Sequence, residues 1–75
     1  MKKFELVPMN GRKSFNHKAI VEENGSTATL YSYGAKICTL DLKTGAVEKF
    51  EDYDFSITTK THQKTFFAFY GVKEA

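Results

Sequence analysis

A chain of 75 residues makes one small domain, whose core supplies only about 3–5 kcal/mol of net stability, so pairing with a second copy is a supplement open to it. It holds no run of about 18 apolar residues, which excludes a membrane-spanning helix, and its lone cysteine, Cys38, excludes an intrachain disulfide and points to a reducing compartment. The net charge of +2 hides an asymmetry that leaves an anionic partner open. Residues 1–18 hold Lys2, Lys3, Arg12, Lys13 and Lys18 against Glu5 alone, whereas residues 19–75 hold six cations against eight acids.

Met1-Lys2-Lys3 has the charge of a signal-peptide start, but Glu5, Pro8, Asn10 and Arg12 interrupt any apolar stretch behind it, and a soluble cytoplasmic protein is expected. Residues 3–7 alternate weakly around Phe4 and Leu6 and read as a short edge strand, which Pro8 ends because proline cannot donate to a ladder. Residues 9–13, with Asn10-Gly11 among them, read as an exposed turn. Over residues 14–23 the period becomes two: Phe15, His17, Ala19 and Val21 share one side, and Asn16, Lys18 and Glu22 the other, with Ile20 the exception.

Asn24-Gly25 is the strongest hairpin signal in the chain. Residues 26–33 follow as a strand with Ala28 and Leu30 on one face and Thr27, Thr29, Tyr31 and Tyr33 on the other. A turn is expected at Gly34-Ala35, then a strand over residues 36–42 with Cys38, Leu40 and Leu42 on one side. Lys43-Thr44-Gly45 turns the chain into a short strand at 46–50, and the acidic stretch 51–54 leads to a helix. The helix is expected over residues 58–70. Phe66, Phe69 and Tyr70 stand at i, i+3 and i+4, His62 lies one turn earlier, and Phe67 widens the stripe, while Lys60 and Lys64 face solvent. Ser56, Thr58 and Thr59 are candidate N-caps, and Gly71 is placed for a left-handed C′ residue. The expected architecture is α+β: a three- to four-stranded antiparallel β-meander packed against one C-terminal α-helix, in a single domain.

The chemistry-bearing residues are few. Cys38, His17 and His62 are the material for a Cys–His pair, but a cysteine in mid-strand reads as a small buried hydrophobe. No nucleophile elbow, phosphate-cradling loop or paired-carboxylate motif accompanies it. The same three residues lack the close spacing of a structural zinc site, so neither metal nor cofactor is expected. His62, on the apolar stripe, reads as a histidine bonded near the sheet rim, with a partner-contacting or pH-sensitive role as the alternative. The basic segment Arg12-Lys13-Ser14-Phe15 with Lys18 is the leading binding candidate. Its cations suit phosphates or an acidic protein patch, and Phe15, Tyr31 or Tyr33 offer rings for stacking; a solvated loop beside core aromatics is the plainer reading.

Three stretches carry a resemblance over residues 10–71. They are Asn10-Gly11-Arg12-Lys13-Ser14-Phe15 with Lys18-Ala19, Leu30-Tyr31-Ser32-Tyr33, and Ser56-Ile57-Thr58-Thr59 followed by His62, Phe66 and Gly71. Together they resemble an uncharacterised small domain of phages and mobile elements in gut bacteria, with NGRKSF and SxTTxxHxxxF signatures. The resemblance implies no activity. It implies an accessory protein made inside a bacterial host cell. The functional expectation is therefore a non-catalytic binding module that docks on a host macromolecule, protein or nucleic acid, for example as an inhibitor of a host defence protein. A small nucleic-acid-binding factor using the segment near Arg12 is the alternative.

Overall fold

The computed structural model describes residues 2–6 and 18–72. Five strands, β1 (Lys2–Glu5), β2 (Ala19–Asn24), β3 (Thr27–Ser32), β4 (Ala35–Asp41) and β5 (Val47–Lys49), pair antiparallel in chain order, and one helix, α1 (Ile57–Phe69), follows them. The α+β meander expected from the sequence is present, with five strands among the described residues where three or four were expected, because the edge segment at Phe4 pairs fully with β2. The part of the second expected strand at 14–17, with Phe15 and His17, lies outside the described residues.

The registers fix two faces. Phe4, Val21, Leu30 and Cys38 stand opposite one another across four strands, as do Ala28, Leu40 and Val47, and of these Val21, Ala28, Leu30, Cys38 and Leu40 are fully buried under the helix. The other face carries Lys3, Glu22, Thr29, Thr39 and Glu48 in one row and Glu5, Ile20, Tyr31 and Lys36 in the next. Thus Ala19, Val21, Ala28 and Leu30 occupy the face their alternation requires. Leu42 does not: it lies one residue past β4 and is exposed.

One irregularity shapes the sheet. Leu30 pairs with Cys38 but Tyr31 pairs with Lys36, so Ile37 is an extra residue in β4. Such a bulge re-aims side chains, and here it buries two consecutive residues, Ile37 and Cys38. The turns also differ from expectation by one residue. Ser32 pairs with Ala35, so the loop is Tyr33-Gly34, both with positive φ (54° and 82°), as a type I′ hairpin requires. Asn24 is the last residue of β2, and Gly25 takes the first loop position at φ 63°.

The helix ends are built from side chains and glycine. Ser56 Oγ accepts the Thr59 amide at 3.1 Å, satisfying one of the donors a helix start leaves over. At the other end Tyr70 is the C-cap, and the Gly71 and Val72 amides donate to the carbonyls of Ala68 and Phe67 at 3.1 and 2.9 Å. That is the Schellman arrangement, and Gly71 has the left-handed φ of 68° it needs.

The buried stripe of α1 is Thr59, His62, Gln63, Thr65, Phe66 and Phe67. Phe69, expected on it, is exposed instead and leans on the Phe4 ring at 5.5 Å. Among the described residues Phe66 is the largest fully buried side chain, and it meets Phe67 and Tyr70 edge-on at 5.4 and 5.3 Å. Tyr70 in turn donates its hydroxyl to Glu23 on β2, tying the helix C-terminus to the sheet.

Two outcomes test this packing. Phe66→Ala is expected to cost about 3–5 kcal/mol by opening a cavity under the helix, and coincident melting curves for variant and wild type would refute the buried face. Cys38, buried on β4, is expected to react slowly with a thiol reagent in the native protein and quickly after denaturation.

Candidate functional site

Of the residues singled out in the sequence, Lys18, Tyr33 and His62 come together at the β3–β4 turn. The Tyr33 amide donates to the Lys18 carbonyl at 2.8 Å, extending the β2–β3 ladder by one step. Two groups lie beside the Tyr33 ring. Lys18 Nζ sits 5.1 Å from its centroid, within cation–π range, and the His62 ring lies 5.9 Å away. Tyr31 is not part of this cluster. It pairs with Ile20 and Lys36 on the open sheet face. Arg12, Lys13 and Phe15 lie outside the described residues.

His62 is fully buried and hydrogen-bonded through Nδ1 to Ser32 Oγ at 2.8 Å. A serine and an imidazole at this separation have the geometry of a nucleophile and base, yet Ser32 is itself buried, and the bond joins β3 to α1 as an internal clamp. Burial lowers the pKa of His62 below its ordinary 6.5, since removal from water disfavours the charged ring. At the far end of the helix, burial first and then the bonded, charged Glu23 carboxylate push the Tyr70 phenol upward, so its hydroxyl keeps its proton at neutral pH.

A second clamp involves Gln63, which has no solvent exposure. The Asp54 amide donates to Gln63 Oε1 and Gln63 Nε2 donates to Asp54 Oδ1, both at 2.7 Å. Asp54 adopts a left-handed φ of 61°, a conformation aspartate tolerates better than most residues. The acidic connector is thereby fastened to the helix it precedes. An amide on a helix reads from sequence as a solvent-facing residue, so Gln63 does not stand out there. Its position four after Thr59 and three before Phe66, on the inward stripe, was the available signal.

Between the connector and the Tyr33 turn lies a groove of about 270 Å³, lined by Ala35, Ile37, Tyr33, Asp52, Phe55 and the hydroxyl residues Ser32, Ser56, Thr58 and Thr59. Its floor contains the bulge residue Ile37. Its rim is apolar and open: Tyr33 and Phe55 are 57 % and 77 % exposed, and Ile57, which follows the lining residue Ser56 in the chain, is 84 % exposed. Large side chains exposed together beside a groove mark interaction surfaces more often than scattered ones do. Among the described residues, no group of three or more His, Cys, Asp and Glu could hold a metal ion, and no helix is long and apolar enough to cross a membrane.

Fold and site together define a small two-layer α+β domain with an apolar groove at the helix N-terminus. Residues 4–75 match the family described as "Family of unknown function (DUF8033)", and the chain belongs to that family. No curated protein and no solved structure matches it. The family match agrees with the resemblance in the sequence as far as an uncharacterised domain.

The lowered pKa of His62 gives a signed expectation. Protonation below pH 6.5 falls preferentially on the unfolded chain, so the contribution of the neutral ring is complete above that value and is lost as pH falls below it. Melting temperatures of the wild type are expected to fall more steeply from pH 7 to pH 5 (approximate values bracketing the ordinary histidine range) than those of His62→Gln. Parallel pH profiles would show that the folded protein accepts the proton on His62 freely.

Proposed function

We propose that this protein is a non-catalytic docking module that presents the groove and its apolar rim to another protein. The observation that carries this reading is the high exposure of Phe55 in the groove lining, with the similarly exposed Ile57 two residues along the chain. A domain with so small a core gains stability by burying such residues, and leaving them in water suits a surface that is covered by a partner. Tyr33 adds to the same argument. A bulky residue at positive φ is strained by about 1–2 kcal/mol, and the conformation sets its ring against the groove where asparagine or glycine would turn the chain more easily.

The burial of both members of the Ser32–His62 pair supports a structural role for it over a catalytic one. A protein partner is favoured over nucleic acid by the open sheet face. Tyr31 there is accompanied by Glu5, Glu22 and Glu48 as well as by Lys3 and Lys36, and carboxylates repel a phosphate backbone. The sequence resemblance to phage and mobile-element domains supports the setting: an accessory protein in the cytoplasm of a bacterial cell, which blocks a host protein such as a defence factor by covering a working surface.

The double substitution Phe55→Ser with Ile57→Ser tests the reading. Both residues are exposed, so folding is expected to change by no more than about 0.5 kcal/mol. In pull-downs from bacterial lysate the folded variant is expected to lose partners that the wild type retains, with little salt dependence. Retention of every partner would remove the groove as the site. Steep loss of wild-type binding with added salt would favour the nucleic-acid alternative, and reversing Arg12 and Lys13 to glutamate in the same assay tests the basic segment.

A further inference from the structure

We infer that the groove takes a cationic side chain of the partner protein, an arginine, held between the Phe55 ring and the Asp52 carboxylate. This rests on the docking reading above and names the chemistry of the docked group.

The lining supplies the three elements that recognise such a side chain. Ala35 and Ile37 form an apolar floor for an aliphatic stem, and arginine buries its stem readily while keeping its head polar. Phe55, 77 % exposed, stands at the rim, and a planar guanidinium stacks on such a ring. Asp52 stands in the wall and accepts from the guanidinium fork.

The protein already uses ring–cation pairing elsewhere. Lys2, Lys18, Lys36 and Lys49 lie 5.9, 5.1, 5.0 and 4.9 Å from the ring centroids of Phe4, Tyr33, Phe50 and Tyr53. Among the described residues, Phe55 has no such cation and Asp52 has no ion pair, although both line the same wall.

Charge decides among occupants. The connector carries Glu51, Asp52 and Asp54 in four consecutive positions (51–54) with no cation. A second copy seated face to face sets this acidic stretch near its own twin, and an acidic partner meets the same repulsion. Two groups oppose the cation, the helix N-terminus capped by Ser56 and Lys18. The first is a partial charge. The second engages the Tyr33 ring, so the guanidinium enters from the Phe55–Asp52 side.

The test uses the full chain and a short synthetic peptide, acetyl-Gly-Ser-Arg-Leu-Ser-Gly-amide, beside its citrulline counterpart, which keeps the shape of arginine and removes its charge. Amide shifts in heteronuclear NMR titrations are read at millimolar peptide. The arginine peptide is expected to move the amides of Asp52 to Thr58 and of Gly34 in a saturable way. Citrulline is expected to weaken it about tenfold, and Asp52→Asn and Phe55→Leu each several-fold, which is on the scale of one charge-assisted contact. Equal affinity of the two peptides, an unsaturable response, or shifts mapping to another face would overturn the assignment. So would self-association of the protein alone at these same amides, which would make a second copy the occupant. If the peptides fail while Phe55→Ser with Ile57→Ser still abolishes partner capture, the docking reading stands and the arginine chemistry falls.

Discussion

The arrangement depends on a helix whose buried face is mostly polar. Four of the six buried residues of α1, Thr59, His62, Gln63 and Thr65, carry hydrogen-bonding groups, and only Phe66 and Phe67 are apolar. A buried polar group left without a partner costs about 1–3 kcal/mol, a large share of the stability available to a domain this small. The helix therefore has few tolerable positions. His62 must meet Ser32 and Gln63 must meet Asp54, and those three bonds fix both its height over β3 and its rotation.

Those same bonds build the groove. Ser32 belongs to its lining, so the His62 clamp holds the helix against one side of it. Gln63 holds Asp54, and through it the neighbouring Asp52 and Phe55 that form the opposite wall. The bulge at Ile37 supplies an apolar floor where regular alternation would have sent that side chain to the open face. Exposed Phe55 and Ile57 are then a consequence of where the connector is fastened, since the N-cap at Ser56 fixes the direction in which both leave the backbone.

Much of the fold was legible because its signals are local. Alternation placed Ala19, Val21, Ala28 and Leu30 inward, and Ser56 and Gly71 marked the helix ends with side-chain and backbone chemistry that acts over a few residues. The errors arose where a local rule was overridden. Tyr33 continued the alternation of Tyr31 and is not a usual turn residue, so the turn was displaced by one. The adjacent apolar pair Ile37-Cys38 broke the period of two, and that break was the only trace of the bulge. Phe69 satisfied the helical period as well as Phe66 does, but the sheet beneath it ends at the Phe4 edge. In the site, Lys18, Tyr33 and His62 were recognisable as residue types, and the topology joins them. Phe55, Asp52 and Gln63 were not, because their roles come from a connector pinned across a helical turn, which no short pattern announces.

The claim that Gln63 anchors the connector and so creates the groove wall is tested most directly by amide hydrogen exchange on Gln63→Leu. Leucine occupies similar space in the core but accepts nothing from the Asp54 amide. The account predicts that exchange at Asp54 accelerates strongly, with Phe55 following, while the amides of Val21 and Leu30 stay protected. Unchanged protection at Asp54 in a folded variant would contradict it, since the connector would then be held by something other than the buried amide.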